Sequence, residues 1–165
     1  MIENNHKSSK MINMNKFIEK QNELRLKWKK GEALTFLKEV CSSIPVEDIP
    51  GFTSYALKSA YDAQRIKSLD YLLCLDNRHE ASLLYKIHIG VMLSNKKNNP
   101  KEIEIWKILC KHFPENDLLN SIEMFKKNIP QKRIEQIACK EKEMIHLVYE
   151  QNINKNQNIK KALKI

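Results

Sequence analysis

The residues of this chain best suited to chemistry are its four cysteines, its five histidines and three clusters of lysine. The cysteines stand at Cys41, Cys74, Cys110 and Cys139, with no Cys-x-x-Cys pair and no zinc-ligand spacing. A metal site or a redox switch would be the sharp use of such thiols. A column of small buried residues is the plainer use and the better fit, because free cysteine is among the most buried residue types. The histidines are His6, His79, His88, His112 and His146. None forms a pair four apart on one helix, and no His-Glu-x-x-His occurs. Cys110-Lys111-His112 brings together two ligand types but not a set. Glu102, Glu104, Glu141 and Glu143 read as solvated helix faces interleaved with lysine. No enzymatic activity, cofactor or metal is expected.

The lysine clusters carry more. Lys27-Trp28-Lys29-Lys30 lies 14 to 11 positions before Cys41. Lys96-Lys97 and Lys126-Lys127 lie at comparable distances before Cys110 and Cys139. Each cluster falls where two successive helices turn back on each other. If the turns line up, these residues form a basic ridge completed by Lys101, Lys132 and Arg133. The second turn breaks it with Asp62, although Arg65 and Lys67 are close by. Such a ridge suits an acidic protein face, a phosphorylated lipid headgroup or a nucleic-acid backbone. Trp28, flanked by lysines near a turn, is the candidate for a partly exposed anchor. Trp106 is expected in the core.

Composition limits what the ridge can mean. The 165 residues are 42% hydrophobic and 30% charged, with a formal net charge of +9, which fits a soluble folded chain. Lysine supplies 25 of the 29 basic residues. Nucleic-acid readers lean instead on arginine, whose planar fork pairs with phosphate and guanine. Lysine, asparagine and isoleucine are inflated together, as compositional drift would do. The three glycines, Gly31, Gly51 and Gly90, are far apart, so no phosphate-cradling loop can form. Met1 to Lys16 has no apolar core and no run is long enough to span a bilayer, so a cytoplasmic location, or delivery into a host cytosol, is expected.

The elements that must position these residues are helices. Apolar residues recur at helical spacing, as in Phe17, Leu24 and Trp28, or Leu118, Ile122, Phe125 and Ile129. Pro45, Pro50, Gly51, Pro100, Pro114 and Pro130 fall between such segments. Eight helices are predicted, over 14–30, 32–43, 54–63, 66–75, 81–95, 100–112, 116–128 and 131–150. Asn99-Pro100-Lys101-Glu102 is a strong helix start, with a capping side chain and proline in the first turn. Residues 1–13 are expected to be a flexible N-terminus, 14–150 a helical-repeat domain and 151–165 a flexible basic tail.

The cysteine spacings of 33, 36 and 29 place each thiol at the end of a similar helix. Val40, Leu73, Leu109 or Ala138 comes one position earlier, and Phe36, Leu69, Ile105 or Ile134 earlier still. Two helices per period of about 33 mean an array of helical hairpins, each burying its apolar face against its neighbours. Leu57-Lys58-Ser59-Ala60-Tyr61 through Leu69-Asp70-Tyr71-Leu72-Leu73 resembles the two helices of an ankyrin repeat. Asp48-Ile49-Pro50-Gly51-Phe52-Thr53 resembles the turn that precedes them. Gln64 stands where that family has glycine, and Thr-Pro-Leu-His is absent. The resemblance covers roughly 48–75 and implies protein binding without catalysis. The expectation is an all-α protein, a short ankyrin-like or related stack of about four hairpins. It would act as an adaptor, inhibitor or effector-type module that binds another protein. The alternative is a basic helical protein that binds nucleic acid or another polyanion.

Overall fold

A computed structural model describes residues 18–43, 49–75, 78–95, 97 and 99–162. Among these residues there are eight helices and no strand. They are α1 (18–30), α2 (Ala33–Ser43), α3 (Ile49–Asp62), α4 (Ile66–Leu73), α5 (Arg78–Ser94), α6 (Pro100–His112), α7 (Glu115–Lys127) and α8 (Gln131–Ala162). The chain divides between residues 77 and 78 into two compact units. That division falls inside the single domain expected over 14–150.

In the first unit a tight turn joins α1 to α2 and another joins α3 to α4, and α3 packs on α4. The two turns obey the same rule. Gly31 has φ 77 and Gln64 has φ 50, the left-handed conformation in which a helix commonly ends. In the first turn the amides of Gly31 and Glu32 donate to the carbonyls of Trp28 and Lys27. In the second the amides of Gln64 and Arg65 donate to those of Tyr61 and Ala60. Each pair closes the two bonds of a Schellman cap, and the two turns lie 33 residues apart.

Packing follows the same order. The Trp28 indole N–H of α1 donates to Ser59 Oγ of α3 at 2.7 Å. Helix α2 packs on α4, where the Lys38 ammonium lies 5.8 Å from the Tyr71 ring centre. Helix α1 thus meets α3 through the Trp28–Ser59 bond, and α2 meets α4. Leu24, Leu37, Phe52, Leu57, Leu69 and Leu72 are buried between them. Each contributes about 1.5–3 kcal/mol by leaving water.

In the second unit α5 packs on α6 and α7 on α8. Helix α5 packs on α7 and α6 on α8, with α5 also touching α8. Trp106 is fully buried, and its indole N–H donates to the Met144 carbonyl at 3.1 Å, fixing α6 to α8. Tyr85 of α5 meets Phe113 edge-on, with ring centres 4.8 Å apart. The capping box read from Asn99 to Glu102 is present. Asn99 Oδ1 accepts from the Glu102 amide, and Glu102 Oε2 accepts from the Asn99 amide, both at 2.9 Å.

Three expectations need correction. Pro50 and Gly51 do not separate helices: α3 begins at Ile49 and contains both. Proline in a first turn removes only an amide that has no partner there, so it starts a helix as readily as it stops one. The segment read as an ankyrin turn is therefore helical from Ile49 onward, and Asp48 lies outside the described residues. Helix α8 does not end near 150 but runs to Ala162. Its last turns are held by polar anchors: Lys155 Nζ donates to the Cys110 carbonyl at 2.8 Å, and the Asn152 amide donates to Glu115. The thiols do not form a buried column. Cys110 is buried, Cys41 is half-buried, and Cys74 and Cys139 are exposed. Nor does each end its helix, for Cys139 sits well inside α8.

Candidate functional site

The basic residues at the hairpin turns divide by unit. In the first unit Lys29 and Lys30 are exposed at the end of α1. Lys27 is paired with Glu32, Nζ to Oε2 at 2.9 Å, and that bond raises its pKa. Trp28 is only 7% exposed, so it is a core residue and not the exposed anchor expected. Its length lets the ring pack inward while the indole N–H reaches Ser59. The neighbouring turn is tied to it, because an Arg65 guanidinium nitrogen donates to the Trp28 carbonyl at 2.7 Å.

In the second unit the two turns also share one end. An Arg133 guanidinium nitrogen donates to the Ser94 carbonyl at 3.4 Å, joining the start of α8 to the end of α5. Lys97, Lys101, Lys127, Lys132 and Arg133 are exposed. Lys126 is not a ridge cation. Its Nζ bonds Glu141 at 2.7 Å and Glu123 at 3.1 Å, and these carboxylates raise its pKa. Lys96 lies outside the described residues. Each unit thus keeps a basic end, with Lys27 and Lys126 already neutralised by neighbours.

A second feature lies along the first helices. In the first unit an open groove of about 890 Å³ runs between α1 and α3. Helix α1 lines it with Asn22, Arg25, Leu26 and Lys29, and α3 with Tyr55, Lys58, Ser59 and Asp62. Both sets follow the spacing i, i+3, i+4, i+7 that places side chains on one helix face. The sets are also offset by 33 residues, as the two turns are. The floor is the Trp28–Ser59 bond. In the second unit a smaller groove of about 430 Å³ lies between α5 and α7, bordered by Tyr85, Lys86, Asp117, Met124 and Phe125. Leu26 and Met124 are each 59% exposed.

The lysine doublets at the turns do not mark these grooves in the sequence. Applying the offset of 33 to helix faces would have paired Arg25 with Lys58 and Lys29 with Asp62. Among the described residues no three of His, Cys, Asp and Glu gather in a metal-holding arrangement. Cys110 is far from nucleophilic, because burial pushes its pKa up to about 12. Cys41 is also raised by burial, against the opposing effect of a hydrogen bond with Tyr71. His88 is buried, and its Nε2 donates to the Glu102 carbonyl at 2.8 Å. Burial lowers its pKa, so the ring is neutral near pH 7. No described helix is long and apolar enough to cross a membrane.

No family model matches the chain, and neither a curated protein nor a solved structure matches it.

Proposed function

We propose that this protein is a non-enzymatic interaction module that binds another protein through preformed helical-hairpin surfaces, as an adaptor, inhibitor or effector does. One observation carries the reading. In each unit an open groove lies between the two first helices and bears a large exposed apolar side chain, Leu26 or Met124. A groove framed by packed helices needs little ordering when it is filled, so more of the contact energy survives as affinity. Leu83 and Ile87, also more than half exposed, belong to a first helix as well.

The hairpin order in each unit and the matched turns at Gly31 and Gln64 support a repeat plan of ankyrin-like type. The resemblance rests on Leu57 through Leu73, since residues 49–53 are helical. Free cysteines of unequal exposure fit a reducing, cytosolic setting. Affinity capture from the native cell with the parent chain, Leu26→Glu and Met124→Glu tests the proposal. A discrete partner lost with either variant supports it. Capture of nucleic acid alone, released steeply by salt, would replace it with the polyanion reading.

A further inference from the structure

We infer that the α1–α3 groove of the first unit receives a short acidic peptide segment with a large apolar side chain, supplied by a partner protein. This rests on the protein-binding reading above and names the chemistry of the occupant. Three cations line the groove, Arg25, Lys29 and Lys58, against one carboxylate, Asp62. None of the three is in an ion pair among the described residues, whereas Lys20, Lys27 and Lys126 each have a carboxylate partner. Among the described residues, the groove therefore holds positive charge with no carboxylate paired to it.

The apolar part sits among these cations. Leu26 follows Arg25 and precedes Lys29 by one turn on the same face, and Tyr55 faces the groove from α3. Each stripe of eight residues is about 10 Å long, which matches roughly two turns of a docked helix. An occupant with apolar residues at i and i+4 and carboxylates beside them would place its apolar face on Leu26 and Tyr55. Its acids would then meet Arg25, Lys29 and Lys58. This is the helix-in-groove mode of recognition, with charge setting register and on-rate. A nucleic-acid strand fits less well. It would leave the aliphatic Leu26 beneath a charged backbone, where an apolar peptide side chain would cover it.

The test is selection of random twelve-residue peptides against the immobilised full chain in about 150 mM salt, where weak surface attraction is screened. The expected winners carry Asp or Glu around a large apolar residue. Binding of the best one, made synthetically, should weaken about tenfold or more with Arg25→Glu plus Lys58→Glu, and with Leu26→Glu. Met124→Glu should leave it within about twofold, since that side chain lies on the other unit's groove. All four positions are exposed, and circular dichroism checks that the variants stay helical. Winners without an acidic bias would overturn the inference, as would indifference to the Arg25 and Lys58 changes. Tighter binding of a single-stranded oligonucleotide through the same cations would do so too. Winners blocked by Met124→Glu instead would remove this groove but keep the protein-binding reading. An empty selection overturns the inference by itself, and the wider reading falls only if partner capture also fails.

Discussion

The two hairpin turns of the first unit make opposite predictions for the same chemistry. Gly31 and Gln64 hold the same left-handed cap position, but only one of them is glycine. A residue with a Cβ loses about 1–2 kcal/mol in that conformation. Glycine returns about 0.4–1 kcal/mol of this through the extra freedom of its unfolded chain. Gln64→Gly should therefore stabilise the unit by about 0.5–1 kcal/mol. Gly31→Ala should destabilise it by a similar amount. A Cβ at Gly31 would meet nothing within 4 Å, so no clash adds to the backbone cost. Trp28 and Trp106 fall in different units, so urea unfolding in a Trp106→Phe background reports the first unit by fluorescence. Midpoints should move in opposite directions with unchanged slope. A neutral or harmful Gln64→Gly, or a harmless Gly31→Ala, would refute the claim that the two turns are equivalent.

Three further outcomes follow from the second unit and the thiols. His88 is held below its ordinary value of 6.5 by burial, opposed by its bond to the Glu102 carbonyl, so it is neutral when folded. The unfolded chain takes up the proton first as pH falls, and stability should be lost below about pH 6.5 at up to ~1.4 kcal/mol per pH unit. His88→Gln should flatten that slope in urea melts at pH 5.5 and 7.5 (both chosen to bracket the ordinary value). Glu102→Ala removes acceptors for the Asn99 amide and for Asn95 Nδ2, bonds of 2.9 and 3.0 Å. It should cost about 2 kcal/mol, with Asn99→Ala nearer 1. Thiol labelling at pH 8 should modify Cys74 and Cys139 fast, Cys41 slowly, and Cys110 only on unfolding, as mass spectrometry of the labelled peptides would show.

Most helix positions were legible because apolar period and breakers agree. Asn99, Pro100 and Glu102 announced the start of α6. The extension of α8 was not legible. Lys155 and Asn152 hold it through polar bonds to α6 and α7, and Ile153 and Ile159 are exposed, so no apolar stripe marks it. The start of α3 was hidden by Pro50, whose meaning depends on which turn of a helix it occupies. Burial of the thiols could not be read from spacing, since a period of 33 fixes a position along the chain and not the depth of a side chain. Burial of Trp28 was hidden for a related reason: Lys29 and Lys30 beside it are exposed, but one helical step turns the indole inward. The groove cations Arg25 and Lys58 stand 33 residues apart, so the cysteine spacing applied to helix faces would have paired them.

The most direct test of the protein-binding claim is site-specific photo-crosslinking in the native cell. A photoreactive residue at Leu26, on the groove, would be compared with one at Glu39, exposed on the second helix α2. Discrete protein adducts from Leu26 and none from Glu39 are predicted. Adducts from Glu39 alone, or only nucleic-acid adducts from Leu26, would contradict the account.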